Sequence, residues 1–383
     1  MLLQISLTEE QQQLKKTIID FSRKELNSDL HFRDRQGIFP MEQWKKCASM
    51  DIMALPFPEK YGGCGQDFLT TTIALEALSY ACRDSGLVHA ICAHLITSLY
   101  INNFGSEYLK NRYLPGLCKG KTIAAQAITE PEAGSDALST LTRATKAEGH
   151  YILDGRKMFV SNGPVADVVL VLALTDPRRK AMGAHSFFLC EKDYKGLSCG
   201  KPLEKMGLRT LQNCEIVLDS CKVPFENIVG REGQGALIFS EMMEWERILF
   251  GGCHLGNLNR IMEVCIRYAK ERKQFGQPIG KYQSVSNKIA RMKINHELIA
   301  PLVYLTAVQK SNNGRTAMGA SVIKVFASES LKSACLDAIQ IHGAYGYMSE
   351  FEIERDLRDS IASTIYSGTA ELNMMIIARL LGL

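Results

Sequence analysis

Hydrophobic and polar positions divide the chain into three stretches of different period. In the first, Thr8-Glu-Glu-Gln11 reads as a capping box that opens a helix, with Leu14, Ile18, Phe21 and Leu26 following on roughly one face. A second helix is predicted over residues 41–50. Residues 51–68 carry Pro56, Pro58, Gly62, Gly63 and Gly65 and read as loop. Residues 69–82 and 87–104 read as long helices. The second is apolar nearly all round (Val88, Ile91, Leu95, Ile96, Leu99), which predicts burial. His94 and Ser98 on it are candidates to face a ligand, against the commoner outcome of a hydrogen-bonded core histidine.

From residue 122 the period shortens. The apolar run from Ile123 to Ile128 breaks at Pro131 and Gly134, so strand followed by turn is predicted. The turn offers Thr129, Ser135 and Asp136, with Gly134 permitting close backbone approach to a ligand. A flat polar cofactor suits such a surface, although an ordinary surface turn has the same composition. Residues 166–173, 186–190 and 214–218 are short β-branched or aromatic runs separated by turns, which makes residues 122–231 a small β barrel or sandwich. Within it, alternation along Lys157-Met-Phe-Val-Ser-Asn-Gly163 sets Phe159 and Ser161 on one face of a strand. That pair suits covering a flat ring and reaching its edge; the alternative is a core Phe beside a surface Ser. After Gly230-Arg-Glu-Gly-Gln-Gly235 the helical period returns, over residues 240–273 (one helix or two), 284–312, 317–343 and 370–381. The predicted domains are therefore helical (1–121), β (122–231) and helical (232–383).

Composition narrows the class. The 383 residues are 46% hydrophobic and 22% charged, with a formal charge of +4, as in a soluble globular protein without a basic nucleic-acid block. No apolar run is read as approaching the ~20 residues of a membrane span. The beginning, MLLQISLTEEQQQ, has neither the basic and apolar regions of a signal peptide nor the arginines of a transit peptide. Twelve cysteines without a Cys-x-x-Cys fit buried free thiols in a reducing cytoplasm, and the eight histidines show no paired metal spacing, so no metal is expected.

Five segments in order then carry a resemblance: Ile128-Thr-Glu-Pro-Glu-Ala-Gly-Ser-Asp136; Lys157-Met-Phe-Val-Ser-Asn-Gly163; Glu271-Arg-Lys-Gln-Phe-Gly276 with Tyr282-Gln283; Gln340-Ile-His-Gly-Ala-Tyr-Gly346; and Ile365-Tyr-Ser-Gly-Thr369. Together they resemble the acyl-CoA dehydrogenase flavoprotein family over essentially the whole chain. The resemblance implies an α+β fold with an N-terminal helical domain, a central β-barrel domain and a C-terminal four-helix bundle. It also implies one FAD per subunit and a homotetramer. It sets the flavin ring against Ile128, Thr129, Phe159 and Ser161, with Gly134 in the cofactor turn and Ser135 between flavin and the substrate's pantetheine. Arg272, Gln274 and Phe275 would reach the FAD of a neighbouring subunit; Gln340, Gly343 and Ala344 would hold the adenine half, Thr369 would contact the cofactor near its phosphates, and Gln283 is a further implied cofactor contact. Arg272 suits a pyrophosphate because its fork binds two oxygens. Glu132 and Phe159 depart from the residues frequent at those positions.

The family's reaction removes an α proton from an acyl thioester while hydride leaves Cβ for the flavin. A positioned carboxylate is needed, and most of the family supplies it within Tyr-Glu-Gly-Thr. Here that motif reads Tyr366-Ser-Gly-Thr369, and the Ser367 hydroxyl is too weak a base at neutral pH. Either the chain is inactive or the base lies elsewhere. The isovaleryl-type branch carries it in a Glu-Arg pair followed by Gly-Gly, which Glu244-Trp-Glu-Arg-Ile-Leu-Phe-Gly-Gly252 matches. This makes Glu246 the implied base, beside Arg247, with Glu244 the pantetheine contact and the fallback base. Tyr366 and Ser367 would meet the acyl group, with the Ser367 backbone N–H helping to hold the thioester carbonyl.

Three functions follow. The first is an active thioester dehydrogenase or oxidase. The second is an inactive flavoprotein scaffold, suggested by Ser367. The third is a relative oxidising a free substrate such as a nitroalkane, against which Ser135 argues. Within the first, the base position goes with short branched acyl-CoA substrates and with prolyl groups on carrier proteins, and the chain is similar overall to the prolyl-carrier oxidases. The mildly basic balance suits an acidic carrier. One oxidation of a prolyl thioester yields an imine and two lead toward pyrrole. Reduced flavin would pass electrons to a partner flavoprotein or to oxygen. Nucleic acid and membrane are not expected partners.

Overall fold

The computed structural model describes residues 6–179 and 181–383. The residues ahead of Ser6, on which the reading of the chain's beginning partly rests, lie outside those described. Among the described residues, helices come first: α1 (Glu9–Glu25), α2 (Leu30–Gln36), α3 (Met41–Ser49), α4 (Phe68–Ala81), α5 (Ser85–Phe104) and α6 (Glu107–Cys118). The capping box forms as expected. The Thr8 hydroxyl accepts from Gln11 N at 3.2 Å, and Thr8 N donates to Gln11 Oε1 at 3.1 Å. Two short helices go beyond the sequence reading. Helix α2 is rich in charge, and α6 contains Pro115 and Gly116 near its end, which read as punctuation.

Helix α5 corrects one expectation. By length and composition it could cross a membrane, because Ser85–Phe104 is a 20-residue apolar helix. Instead it packs inside the helical core, with Leu87, Ile91, Leu95 and Leu99 all buried. His94 is a core residue. Ala124 N donates to its Nδ1 at 3.2 Å, which leaves the Nε2 hydrogen to be donated to Leu117 O at 3.0 Å. Burial lowers its pKa to about 4, so the ring is neutral.

The middle of the chain forms strands β1 (Ala124–Ala127), β2 (Arg143–Lys146), β3 (His150–Ser161), β4 (Val168–Leu174), β5 (His185–Glu191), β6 (Leu197–Cys199), β7 (Asn213–Pro224) and β8 (Ile228–Val229). They make one sheet in the order β6-β7-β3-β2-β4-β5-β8, with β1 running parallel beside β4. The sheet curls around its own core, where Val169 and Val171 meet Val160, Phe188, Cys214 and Ile216. Val168, Leu170 and Leu172 point the other way and join the helical core with Phe187 and Leu189. Burial on both faces is why β4 reads as an unbroken apolar run rather than an alternating one.

The last part begins with α7 (Gly235–Glu271), one continuous helix of 37 residues. A short hairpin, β9 (Lys273–Gln274) and β10 (Gln277–Pro278), precedes α8 (Gln283–Ser311), α9 (Ala317–His342), α10 (Ile353–Ala362) and α11 (Ala370–Leu380). Helix α10 was not legible in the sequence, being short and charged. Helix α7 packs against α8 and α9 on one side and against α4 on another, so the first and last helical regions share one core. Its glycines permit this. A Cβ on Gly251 would lie 2.4 Å from Ile323 Cγ2 of α9. One on Gly256 would lie 2.2 Å from the backbone oxygen of Glu76 in α4. No side chain fits at such distances, so Gly256 sets how closely α7 crosses α4. The twelve cysteines are free thiols; ten are buried as the sequence predicts, while Cys64 is half-buried and Cys199 exposed.

Candidate active site

Three segments far apart in sequence converge on Glu246: the middle of α7, strand β1, and the turn between α10 and α11. Glu246 is buried, 6% exposed. Its Oε2 accepts from Gln126 Nε2 at 3.0 Å and its Oε1 from the Ser367 hydroxyl at 2.6 Å. Arg247, the next residue, donates from Nε to Ser367 O at 3.1 Å and so pins the turn to the helix. Ser367 adopts a left-handed φ of 59° and Gly368 follows with φ 80°, which gives the turn its tight shape.

The electrostatics around this carboxyl are mixed. Burial is the largest influence and pushes the Glu246 pKa above the ordinary carboxylate range. The hydrogen bonds from Ser367 and Gln126, and the charges of Arg247 and Lys324, pull the other way. Lys324 on α9 donates to Ser363 O at 2.6 Å. Burial, then repulsion from Arg247, lowers its pKa to about 8 despite the attraction of Glu246. A desolvated carboxylate with a raised pKa, held by donors on both oxygens, is the arrangement a general base needs.

Tyr366 lies beside it in an aromatic cluster. Its ring centroid is 4.7 Å from that of His89 and 4.8 Å from that of Phe250. Its hydroxyl is bonded to His254 Nε2 at 2.9 Å, so it is already partnered. Burial lowers both histidines to about 3, with Lys324 adding to the effect at His254 and Lys205 at His89. The cluster is therefore uncharged.

The structure separates Glu244 from this group. Two residues along a helix is a rotation of about 200°. Glu244 accordingly faces α8 and the start of α9, where its Oε2 accepts from Lys310 Nζ at 3.1 Å and from Thr316 Oγ1 at 2.6 Å. This ion pair sets Glu244 on the opposite face of the helix from Glu246, so the expected fallback base does not share the Gln126–Ser367 site.

The end of β1 continues into the predicted flavin-side residues. Met158 N donates to Thr129 O at 2.8 Å, which ties Ile128 and Thr129 to β3. Simple alternation does not hold in β3. A bulge between Lys157 and Val160 inserts one residue, and Phe159 takes a φ of 58°. Val160 therefore turns into the sheet core, while Phe159 is left 63% exposed with Ser161 half-buried beyond it. Asn213 Nδ2 donates to both Phe159 O and Ser161 Oγ at 3.0 Å, fixing the bulge. Gly134 and Ser135 are exposed in the adjoining turn.

A second exposed group comprises Arg272, Gln274, Phe275 and Gln283 around the hairpin and Gln340, Gly343 and Ala344 at the end of α9. The Arg272 guanidinium lies 5.9 Å from the Tyr345 ring centre, so hairpin and helix end are neighbours. Phe275, at a φ of 48°, is 95% exposed. Thr369 caps α11, accepting from Leu372 N at 3.1 Å.

Two features of the site escaped the sequence reading. Gln126 is the one polar residue in the run Ile123–Ile128, and that oddity was the available signal. Glu130 and Lys157 form a buried ion pair at 2.7 Å beneath the turn. Lys157 also donates to Ile128 O and Thr140 Oγ1, while Glu130 accepts from Thr140 and from the N–H groups of Leu141 and Thr142. Burial alone would raise the Glu130 pKa, but Lys157 and these donors hold it at about 2. Burial lowers Lys157 to about 8 against the pull of Glu130. Both residues stand inside the quoted motifs, yet only the fold brings them together.

Comparison with known proteins agrees with this architecture. Residues 8–121 match the acyl-CoA dehydrogenase N-terminal domain, residues 125–221 the middle domain and residues 233–382 the C-terminal domain. An L-prolyl-[peptidyl-carrier protein] dehydrogenase of Pseudomonas fluorescens is 39% identical over 89% of this chain and 90% of its own length. The crystal structure of the prolyl acyl carrier protein oxidase AnaB superposes with a TM-score of 0.97 at 42% identity, covering 99% of this chain and 100% of that one. The structure of PigA with FAD and proline also reaches 0.97, at 36% identity, with both chains fully covered. With all three domain types present in order, this chain belongs to the acyl-CoA dehydrogenase family of flavin-dependent oxidoreductases.

Proposed function

We propose that the protein is an FAD-dependent oxidase or dehydrogenase of a prolyl thioester held on a carrier protein, with Glu246 as the base. The observation that carries the chemistry is the seating of Glu246: a desolvated carboxylate between Gln126 and Ser367, at the meeting point of three domain segments. An inactive scaffold, the reading that Ser367 invites, has no need of such a group. The likeness to AnaB, PigA and the Pseudomonas fluorescens enzyme supports the prolyl carrier substrate.

The residues fit the cofactor. Phe159 is turned outward by a strained backbone beside the hydroxyls of Thr129 and Ser161, which suits the face and edge of a flat ring. Arg272 and Gln274, exposed on the hairpin, suit the phosphates of an FAD bound by a neighbouring subunit, and Gln340, Gly343 and Ala344 suit its adenine half. When bound, FAD supplies the acceptor for the hydride that leaves the substrate. Glu246 takes the α proton. Arg247 holds the 367–368 turn in place, so the Ser367 backbone N–H can meet the thioester carbonyl as negative charge develops. The Tyr366, His89 and Phe250 rings limit the acyl group to a small one.

An anaerobic flavin-bleaching panel tests this. A prolyl group on a carrier protein is expected to bleach the flavin faster than prolyl, butyryl or isovaleryl groups on CoA. Equal or faster bleaching by the CoA thioesters would make the protein a short- or branched-chain acyl-CoA dehydrogenase, the reading favoured next by the Glu246–Arg247 position.

A further inference from the structure

Gln126 touches Glu246 with only half of its amide. The Nε2 hydrogen goes to Glu246 Oε2, which fixes the orientation, because an ionised carboxylate can only accept. The other half, Oε1, is buried and has no hydrogen-bond partner. Among the described buried side-chain atoms in that condition, it is the one carried by a residue bonded to Glu246. An unsatisfied buried carbonyl is costly, and it discriminates between ligands that bring a donor and ligands that do not.

A saturated acyl chain brings no donor. A prolyl group does, and in the required place. Glu246 must meet the α hydrogen, and the ring nitrogen is bonded to that same α carbon, about 1.5 Å away. A substrate that sets its α hydrogen against Glu246 therefore brings its N–H within one side chain's reach of Gln126. A neutral amide also suits the position better than a second carboxylate, which would repel Glu246.

Building on the function proposed above, we infer that Gln126 is a specificity-determining residue. Its carbonyl accepts a hydrogen bond from the ring N–H of the substrate while its amide N–H holds the base. One side chain then links recognition of the nitrogen to placement of the carboxylate. The class of substrate it selects is an α-amino acyl thioester rather than a plain acyl thioester.

The test compares two thioesters on the same carrier protein, prolyl and tetrahydrofuran-2-carbonyl, by anaerobic flavin bleaching of the FAD-loaded protein. The second keeps the ring size and an electron-withdrawing atom beside the α carbon but lacks the N–H. Wild type is expected to favour prolyl by about 10- to 100-fold, the cost of one unmet buried hydrogen bond. In Gln126→Met that ratio should collapse toward one, with the prolyl rate falling more than the other. A ratio near one in wild type would overturn the inference without needing the variant. An unchanged ratio in Gln126→Met would also overturn it, since Gln126 would then serve only the flavin or Glu246. If neither thioester bleaches a wild-type flavin that dithionite reduces, the thioester oxidation reading fails and this inference falls with it.

Discussion

Ser367 donates its hydroxyl to Glu246 Oε1 over 2.6 Å, joining residues 121 positions apart. The position where most of the family carries its base is thus the hydrogen-bond partner of the carboxylate proposed here for that role. Moving the carboxylate from the turn to the helix leaves it in contact with the same turn.

Glu246→Gln keeps the size and most of the hydrogen bonding of the side chain while removing its basicity. Flavin reduction by the thioester should fall by about 10²–10⁴-fold or more, with FAD content unchanged. Glu244→Gln, on the opposite face, should leave that rate within a few-fold of wild type. Rapid-mixing absorbance at the flavin band reads both, and a fully active Glu246→Gln would remove the base from this helix.

The pH profile follows from the direction of the Glu246 shift. A base acts deprotonated, so the flavin-reduction rate should rise with pH through an inflection above the ~4.3 of an ordinary glutamate. Ser367→Ala removes a donor that favours the charged form. The inflection should therefore move to higher pH, because less now opposes the effect of burial. An inflection that stays in place would show that the hydroxyl does not tune the base.

Lys157→Met leaves Glu130 buried without its cation. Denaturant unfolding should register a loss of about 3–5 kcal/mol, the usual result of breaking a buried pair from one side. Adding Glu130→Gln should recover part of it. Strictly additive losses from the two substitutions would mean that the pair is not coupled as its geometry indicates.

Phe275, 95% exposed on a hairpin beside Arg272, is poorly accounted for in a lone subunit. Light scattering should find a homotetramer, and Phe275→Asp should lower both the assembled mass and the FAD retained. A wild-type monomer that keeps its FAD would contradict the assignment of this hairpin to a neighbour's cofactor.

Much of this was legible in the sequence because local signals agreed with the fold. The capping box at Thr8, the long period-3.6 segments and the unbroken apolar run of β4 each correspond to an observed element. The Gly251-Gly252 pair that singles out Glu246-Arg247 in the sequence packs tightly against neighbouring helices. What escaped was of two kinds. Helices α2, α6 and α10 are short, charged or punctuated by Pro and Gly, so packing rather than periodicity decides them. The β3 bulge, the Glu130–Lys157 pair and the bond from Gln126 to Glu246 depend on tertiary placement, which spacing along the chain does not report. Glu244 and Glu246 stand two residues apart in one motif, and helical geometry sets them on opposite faces.

The shared core of the two helical regions has a consequence for synthesis. Helix α4 leaves the ribosome well before α7, the helix whose glycines receive it, because the whole β region is translated in between. At about 5–20 residues per second, that interval is on the order of ten seconds. During it the apolar surface of α4, including Leu69, Ile73 and Leu75, waits without its final cover. The joint core of α4 and α7 therefore closes only after the whole β region has been translated.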